Sequence, residues 1–243
     1  METRLNIAGV TLSVAHRYTL TDAWCCAGHE TAAEPQFAVS ATEEELQQEF
    51  DRLEGRFDLA ACEGNCLYRR AALGMLDYDG FLLHATAVAV DGAGYVFTAP
   101  GGTGKSTHAG LWMRAFGPRA LMVNGDKPIL RRMEGGFAVC GTPWRGKERL
   151  GCAAIVPLRG VCLLERGAEN AIEPADLDTV LDRIFRQVLP PETAEQAVRQ
   201  LDLLDRLVRE VPVYRLRCNM DPEAALVAYR GMNAREPESN SKE

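Results

Sequence analysis

The chain has 243 residues, of which 47% are hydrophobic and 25% charged, and these proportions are typical of a globular protein with a sizeable core. A net charge of −7 argues against a nucleic-acid binder that works through phosphate contacts, and no apolar run reaches the ~20 residues of a membrane-spanning helix. We therefore expect neither nucleic acid nor a membrane as partner. The first residues lack a basic head followed by an apolar stretch, so we expect no secretion signal and a cytoplasmic location.

The eight cysteines do not point to disulfides or to a metal centre, since they include no Cys-x-x-Cys pair and no histidine pair stands at ligand spacing. We expect buried free thiols. Lysine is rare: of the 27 basic residues only Lys105, Lys127, Lys147 and Lys242 are lysines, and the others are arginines. Three of them fall within residues 105–147, which suggests a use for a compact ammonium there; chance is the alternative.

Residues 1–80 are predicted to form an N-terminal α+β layer, either a subdomain or an extension of the main sheet. Strands are predicted over residues 6–14, with a break at Gly9, and over residues 37–40. Thr42 and Glu45 have the spacing of a capping box, which predicts a helix that ends near Gly55. The pattern over residues 67–76 is ambiguous, and residues 77–80 indicate a turn.

Residues 81–234 are predicted to form a larger domain of sheet and helices. A hairpin comes first, with strands over 81–90 and 95–98 around a turn. A glycine-rich segment then leads into a helix over 105–116. Further strands are predicted over 120–123, 129–132, 137–140, 153–156 and 160–164, the second and third of them as a hairpin.

The C-terminal part of this domain is predicted to be mainly helical. Apolar stripes over residues 177–188 and 198–208 have helical spacing and are expected to face the core. A strand is predicted over 211–216, and Asp221 with Pro222 opens a last helix. Residues 235–243 are polar and charged, and we expect a disordered tail there.

The strongest signal lies between the hairpin and the first helix of this domain. Residues 99–107 read Ala-Pro-Gly-Gly-Thr-Gly-Lys-Ser-Thr, close to the G-x-x-x-x-G-K-[ST] pattern of a phosphate loop, with Ala99 at the first glycine position. Glycines let backbone amides converge on phosphate oxygens, and the helix points its positive end at them. The candidate nucleotide-binding residues are Gly101, Gly102, Thr103, Gly104, Lys105, Ser106 and Thr107. The alternative is a glycine-rich turn without a ligand.

The same pattern assigns roles to individual side chains. Lys105 is expected to reach the β and γ phosphates of a nucleotide, and Ser106 to bind Mg²⁺. A second metal ligand is expected on a neighbouring strand, and Asp126 follows the apolar strand over 120–123. The alternative is a plain Asn-Gly-Asp turn in which Asp126 only caps.

The order of these features resembles the catalytic domain of HPr kinase/phosphorylase, which has a histidine-containing strand, a glycine turn, a Gly-Lys-Ser loop and a strand ending in two aspartates. The resemblance covers about residues 80–165. It implies the mixed sheet with packed helices of the phosphoenolpyruvate-carboxykinase-like phosphate-loop proteins. It also implies ATP- and Mg²⁺-dependent transfer to a hydroxyl, and smaller relatives of this kind suggest a peptide acceptor.

Carried over residue by residue, the resemblance assigns Lys105 and Ser106 to nucleotide and Mg²⁺, and Asp126 to the second aspartate of the pair. His84 matches the histidine before the loop, although a histidine on an apolar strand is more often a core residue. The first aspartate, the base of the family, falls on Gly125. The general base is therefore left open among Asp126, Glu148 and a group that the substrate brings.

Residues 141–149 match roughly the Arg-Gly-rich signature loop of the family. They hold three cations and Trp144, and Arg145 or Lys147 is expected to stabilise the charge of a transferred phosphoryl group. The alternative is an exposed basic loop without such a role.

The resulting prediction is a kinase that uses ATP and Mg²⁺ to phosphorylate a hydroxyl of a peptide, protein or small molecule. Its catalytic residues would be Asp126, Lys105, Arg145, Lys147 and His84. The alternatives are a dedicated small-molecule kinase and a nucleotide-binding regulatory module with little catalysis, which the missing first aspartate favours. A decarboxylating carboxykinase is disfavoured, because the chain is too short for the substrate-binding half of that family. Assembly into a homo-oligomer is left open.

Overall fold

The computed structural model describes residues 1–20 and 24–234, which form a mixed α/β fold with helices packed on a mixed β-sheet. The tail expected over residues 235–243 lies outside the described residues. None of the helices in the described ranges combines the length and the apolarity that crossing a bilayer requires.

A small sheet and two helices come first in the chain. Strands β1 (Glu2–Ile7) and β2 (Val10–Ala15) pair antiparallel, and β3 (Phe37–Val39) joins β2 in parallel. Helices α1 (Glu43–Arg52) and α2 (Leu59–Gly74) follow, and a short 3-10 helix spans Met75–Tyr78.

The single strand predicted over residues 6–14 is wrong. Ala8 and Gly9 have positive φ angles of 55° and 79° and reverse the chain between β1 and β2, so this segment is a hairpin. The capping box at Thr42 is confirmed, since its side chain accepts from the amide of Glu45 and the Glu45 carboxylate accepts from the amide of Thr42.

The remaining elements build a larger sheet with helices on both faces. In chain order they are β4 (Gly80–Leu82), β5 (Ala85–Val90), β6 (Ala93–Thr98), α3 (Lys105–Phe116), β7 (Ala120–Asn124), β8 (Ile129–Met133), β9 (Gly136–Cys140), β10 (Ile155–Arg166), β11 (Ala171–Pro174), α4 (Leu177–Phe185), α5 (Ala194–Glu210), β12 (Val213–Cys218) and α6 (Glu223–Asn233), with a further 3-10 turn at Gly117–Arg119.

Strand β10 connects the two halves of the large sheet. Its first residues pair antiparallel with β9, which continues to β8 and β4. Its later residues pair in parallel with both β6 and β12, and β6 continues to β5 and β7. The two strands predicted over 153–156 and 160–164 are therefore one strand of 12 residues. An irregularity in the register with β6, between Leu158 and Gly160, lies at the break that the sequence pattern indicated.

Two pairs of helices cover the opposite faces of this sheet. Helices α4 and α5 pack against one face through Val180, Ile184, Leu203, Leu204 and Leu207. Helices α3 and α6 pack against the other through Leu111, Trp112, Ala225, Ala228 and Met232. Two elements lack a clear sequence signal: helix α2, whose second half falls on the ambiguous residues 67–76, and strand β11, which pairs with β12.

Candidate functional site

The glycine-rich segment over residues 99–104, here called the glycine loop, connects the end of β6 to the start of α3. Gly102 and Gly104 have φ angles of +77° and +119°, conformations that an L side chain rarely adopts. Gly104 caps α3 without a side-chain hydrogen bond. The first-turn amides of α3 are thus not taken by a capping side chain, and such amides bind anions.

Lys105 occupies the first position of α3 and is buried, with 8% of its surface exposed. Its ammonium donates to the carbonyl oxygens of Ala99, at 2.8 Å, and of Pro100, at 3.4 Å. Burial lowers the pKa of the ammonium, and the negative charge of Asp126 partly opposes this effect. The only contacts that satisfy this desolvated cation in the described residues are thus to neutral carbonyls, and an anion on the loop would be a stronger partner.

The turn after β7 is shaped by Asn124, which is fully buried. Its side-chain oxygen accepts from the amides of Asp126, at 2.9 Å, and Lys127, at 2.7 Å, while its Nδ2 donates to the Thr142 hydroxyl at 3.0 Å. Asn124 therefore performs the turn-capping role that the sequence left open for Asp126. The carboxylate of Asp126 is directed elsewhere.

Asp126 lies at the centre of a small polar cluster. Its Oδ1 is 3.5 Å from His84 Nε2, and its Oδ2 is 3.6 Å from Lys127 Nζ, which also stands 4.8 Å from the ring centre of Tyr68. Burial raises the pKa of Asp126, but His84 and Lys127 lower it more, so the pKa lies below its ordinary value. The carboxylate is thus held ionised.

His84 is not a core residue, because about a third of its side chain is exposed. Its Nδ1 lies 3.0 Å from Oε1 of Gln187, and its backbone amide donates to the carbonyl of the same residue. Gln187 therefore fixes the imidazole plane so that Nε2 faces Asp126. Because 103 residues separate the two partners, no local sequence signal indicates this contact.

Gly125, on which the resemblance described above places an aspartate, is enclosed by backbone. A Cβ atom there would lie 3.0 Å from the carbonyl oxygen of Arg145 and 3.1 Å from that of Leu150, whose oxygen also accepts from the Gly125 amide. A carboxylate at this position would require the segment over residues 145–150 to move.

The basic loop (Gly141–Arg149) lies directly against Asp126. A Cβ on Gly146, which has a φ of +72°, would come within 2.8 Å of Asp126 Cβ, so glycine permits the close approach. Arg145 is anchored, since it donates to the carbonyl of Ala27 at 3.1 Å. Lys147 is exposed. Its ammonium is therefore available to a ligand.

These parts meet in one cavity of about 890 Å³, here called the main cavity. Of the predicted site residues, Ser106, Asp126, Arg145 and Lys147 line it together. His84 does not line the cavity but contacts Asp126, which does. The Lys105 side chain also lies outside the lining and contacts the glycine loop. Gly101, Gly102, Thr103, Gly104 and Thr107 are not part of its lining.

A second cavity of about 430 Å³ adjoins the glycine loop. Thr103 and Pro100 line it, together with arginines from β10 and α4. Arg166 from this wall donates to the carbonyl oxygens of Gly102, at 2.5 Å, and Thr103, at 3.3 Å. The glycine loop therefore opens onto this second cavity.

Side chains from the N-terminal residues also line the main cavity, and the sequence did not indicate them. Trp24 and Tyr68 pack edge-on against Trp144, with ring centres 5.3 and 5.0 Å apart. Phe57 lies at the lining with half of its surface exposed. The helical spacing of Ala61, Gly64, Asn65 and Tyr68 along α2 is the signal that could have identified this wall.

The available oxygen donors suit a hard cation. Ser106 and Asp126 supply a hydroxyl and an ionised carboxylate to the same cavity, and such groups are ligands that Mg²⁺ prefers when a phosphate completes its shell. No group of three or more His, Cys, Asp or Glu side chains that could hold a metal occurs within residues 1–20 and 24–234. All eight cysteines are free thiols, five of them buried.

Comparison with known proteins adds no relative to this picture. No protein-family model matches the chain, and no curated protein matches it.

Proposed function

We propose that this chain is an ATP- and Mg²⁺-dependent phosphotransferase, similar to HPr kinase, that phosphorylates a hydroxyl of a peptide or protein. The proposed fold is that of the phosphoenolpyruvate-carboxykinase-like phosphate-loop proteins. The observation that carries the proposal is the lining of the main cavity, where Ser106 of the helix after the glycine loop meets Asp126, Arg145 and Lys147. The strand–loop–helix order around Lys105 supports it.

In this proposal the glycine loop amides and Lys105 bind the nucleotide phosphates. The ammonium exchanges the carbonyls of Ala99 and Pro100 for phosphate oxygens, which are charged and therefore better partners. Ser106 and Asp126 would hold Mg²⁺, which when bound neutralises charge on the phosphates. Arg145 and Lys147 face the transferred group from the basic loop and stabilise its spread charge.

Asp126 is suited to metal binding rather than to strong general-base catalysis, because its pKa is lowered by His84 and Lys127 against the effect of burial. Phosphoryl transfer through a loose transition state depends mainly on positioning and charge stabilisation. The acceptor proton can pass to Asp126 late in such a step. His84, fixed by Gln187, keeps the carboxylate oriented.

One observation favours a second function, a nucleotide-binding regulatory module with little catalysis. Backbone oxygens of residues 145 and 150 enclose Gly125, the position of the family base. Under this alternative the same residues bind ATP and Mg²⁺, but no acceptor is phosphorylated. The two functions are separated by measuring transfer as well as binding.

The test is transfer of the γ-phosphate from ATP to serine-containing peptides, with loss of ATP as a second readout. We expect Lys105→Ala to lower transfer at least ~100-fold, because a phosphate charge would lose its cationic partner. Lys242→Ala, which removes the lysine outside residues 105–147, is the matched control. Full turnover by Lys105→Ala contradicts the mechanism, and tight ATP binding without any transfer favours the regulatory module.

A further inference from the structure

The N-terminal residues form one wall of the main cavity, and this wall meets the basic loop where Trp24 and Tyr68 contact Trp144. Helix α2 buries Cys62, Cys66 and Leu67 on one side, while Ala61, Asn65 and Tyr68 remain half-exposed on the side that lines the cavity. Ala61 and Gly64 carry almost no side chain, so this face leaves room for a ligand. The wall therefore offers a surface on which a ligand can bind.

Phe57 gives this wall an exposed apolar contact. It lies just before Asp58, the cap of α2, and 52% of its surface is accessible. An exposed phenyl ring beside a cavity stabilises a ligand that covers it with an apolar group. The neighbouring rings of Trp24, Tyr68 and Trp144 are fixed by mutual edge contacts, so they form a preorganised surface.

The rest of the cavity lining carries a net positive charge, whereas the molecule as a whole is negative. This part of the lining holds the cations Lys127, Arg145, Lys147 and Arg149 against the carboxylates Asp126 and Glu148, although the chain carries a net charge of −7. Such a local positive field attracts an anionic ligand. The reacting end, with Ser106 and Asp126, lies in the same cavity.

We propose that the N-terminal wall and the basic loop together select the acceptor: a peptide segment with a bulky apolar side chain next to the phosphorylated hydroxyl and an acidic residue close by. The apolar side chain packs on Phe57 and the exposed face of α2, and the acidic residue is attracted by the positive field of the basic loop. This inference rests on the proposed function, since it names the acceptor of that same site.

The volume agrees with this occupant. A cavity of about 890 Å³ is at the upper end of the ~300–1,000 Å³ range of sites for small organic ligands, so it holds more than a phosphoryl group and its metal. An extended peptide can direct its hydroxyl, and an acidic side chain two residues away, to one side of the chain and the neighbouring apolar side chain to the other, because successive side chains point to opposite sides.

The test uses short alanine-based peptides with a central serine in four versions, with or without a neighbouring phenylalanine and with aspartates or lysines nearby. Binding is measured without ATP, by fluorescence anisotropy of dye-labelled peptide, and phosphate transfer is measured separately. We expect the version with phenylalanine and aspartates to bind best. Phe57→Ala should weaken its binding about tenfold and leave the binding of the peptide without phenylalanine unchanged.

Leu59→Ala is the matched control, because Leu59 is an exposed apolar residue two positions further along, at the start of α2, and does not line the cavity. Equal binding of all four peptides, or equal loss in Phe57→Ala and Leu59→Ala, overturns the inference. Selective binding without transfer leaves the inference standing and removes the proposed kinase function. Phosphate transfer to all four peptides without selective binding supports the kinase function and overturns this inference. Phosphorylation of small hydroxy compounds alone contradicts the peptide acceptor.

Discussion

Glycine at two positions determines how closely backbone approaches Asp126. At Gly125 the neighbours are two carbonyl oxygens of the segment over residues 145–150, and at Gly146 the neighbour is the side chain of Asp126 itself. A methyl group at either place would push the basic loop outward. The loop cations are therefore held beside the carboxylate because two side chains are absent.

We expect Gly146→Ala to reduce phosphoryl transfer strongly and to lower the free energy of unfolding by about 1–3 kcal/mol, from the positive φ and from crowding of Asp126. Gly92→Ala is the control, since Gly92 has a φ of +82° but no atom within 4 Å of a Cβ. Denaturant unfolding and the peptide transfer assay measure the two effects. If Gly92→Ala loses as much transfer as Gly146→Ala, the loop position is not what matters.

At the scale of elements, the sequence predicts those helices and strands whose formation depends on residues close together in the chain. The capping box of α1, the β5–β6 hairpin and the helix at Lys105 follow from spacing within a few residues, and the structure has all three. The single strand predicted over residues 81–90 is wrong, since β4 pairs with β8 and only β5 belongs to the hairpin. Helix α2 lacks a strong apolar stripe, because the face with Ala61, Asn65 and Tyr68 lines a cavity. Its role could not be predicted, since the cavity forms only when residues 106, 126 and 144–149 are folded beside it.

Helices α1 and α2 are joined by a buried carboxylate. Glu49, with 3% of its surface exposed, accepts from Arg52 at 2.7 Å and from Arg69 at 3.0 Å. Hydrogen bonding from Arg52, together with Arg69, outweighs the effect of burial and lowers its pKa to about 2. The pair of helices therefore depends on an ionised Glu49.

Glu49→Gln should lower the free energy of unfolding at neutral pH by about 2–4 kcal/mol, because two arginines lose a buried anionic partner. The native pKa lies below the unfolded value of 4.5, so the stabilisation is complete above pH 4.5 and is lost as the pH falls towards 2. In denaturant titrations the free energies of unfolding of wild type and variant should therefore converge between pH 4.5 and pH 2. Glu43→Gln, an exposed substitution on α1, is the control and should change the free energy of unfolding by only about 0.5 kcal/mol or less. A difference between wild type and Glu49→Gln that stays constant at all pH values would show that ionisation of Glu49 is not the cause.

At the scale of the whole molecule, His108 connects the layer of α3 and α6 to the sheet. Its Nε2 accepts from Trp112 at 3.0 Å, its ring packs edge-on against Phe97, and its Nδ1 lies 3.9 Å from the sulfur of Cys218. Burial lowers its pKa to about 4. The folded protein thus holds this imidazole neutral.

We expect global stability to decrease as the pH falls from 6.5 towards 4, because the unfolded chain binds a proton at His108 that the folded chain excludes. Thermal unfolding at a series of pH values measures the slope. His108→Gln, which keeps an acceptor for Trp112, should show a smaller slope in this window. The slope that remains includes the contribution of His29, whose pKa burial also lowers, and of carboxylates near the lower end of the window. An unchanged slope would show that His108 is not the titrating group.

The double pairing of β10 also sets an order of events during synthesis of the chain. Strand β6, which leads into the glycine loop, finds β5 at once but gains its second neighbour only when residues 155–166 have left the ribosome. The parallel partner β12 comes some 50 residues later still. Until β10 has emerged, one edge of β6 has no partner, and long-range parallel pairing forms slowly and exposes strand edges. Nascent chains that stop before β10 should therefore carry a complete glycine-loop sequence that cannot yet hold its shape.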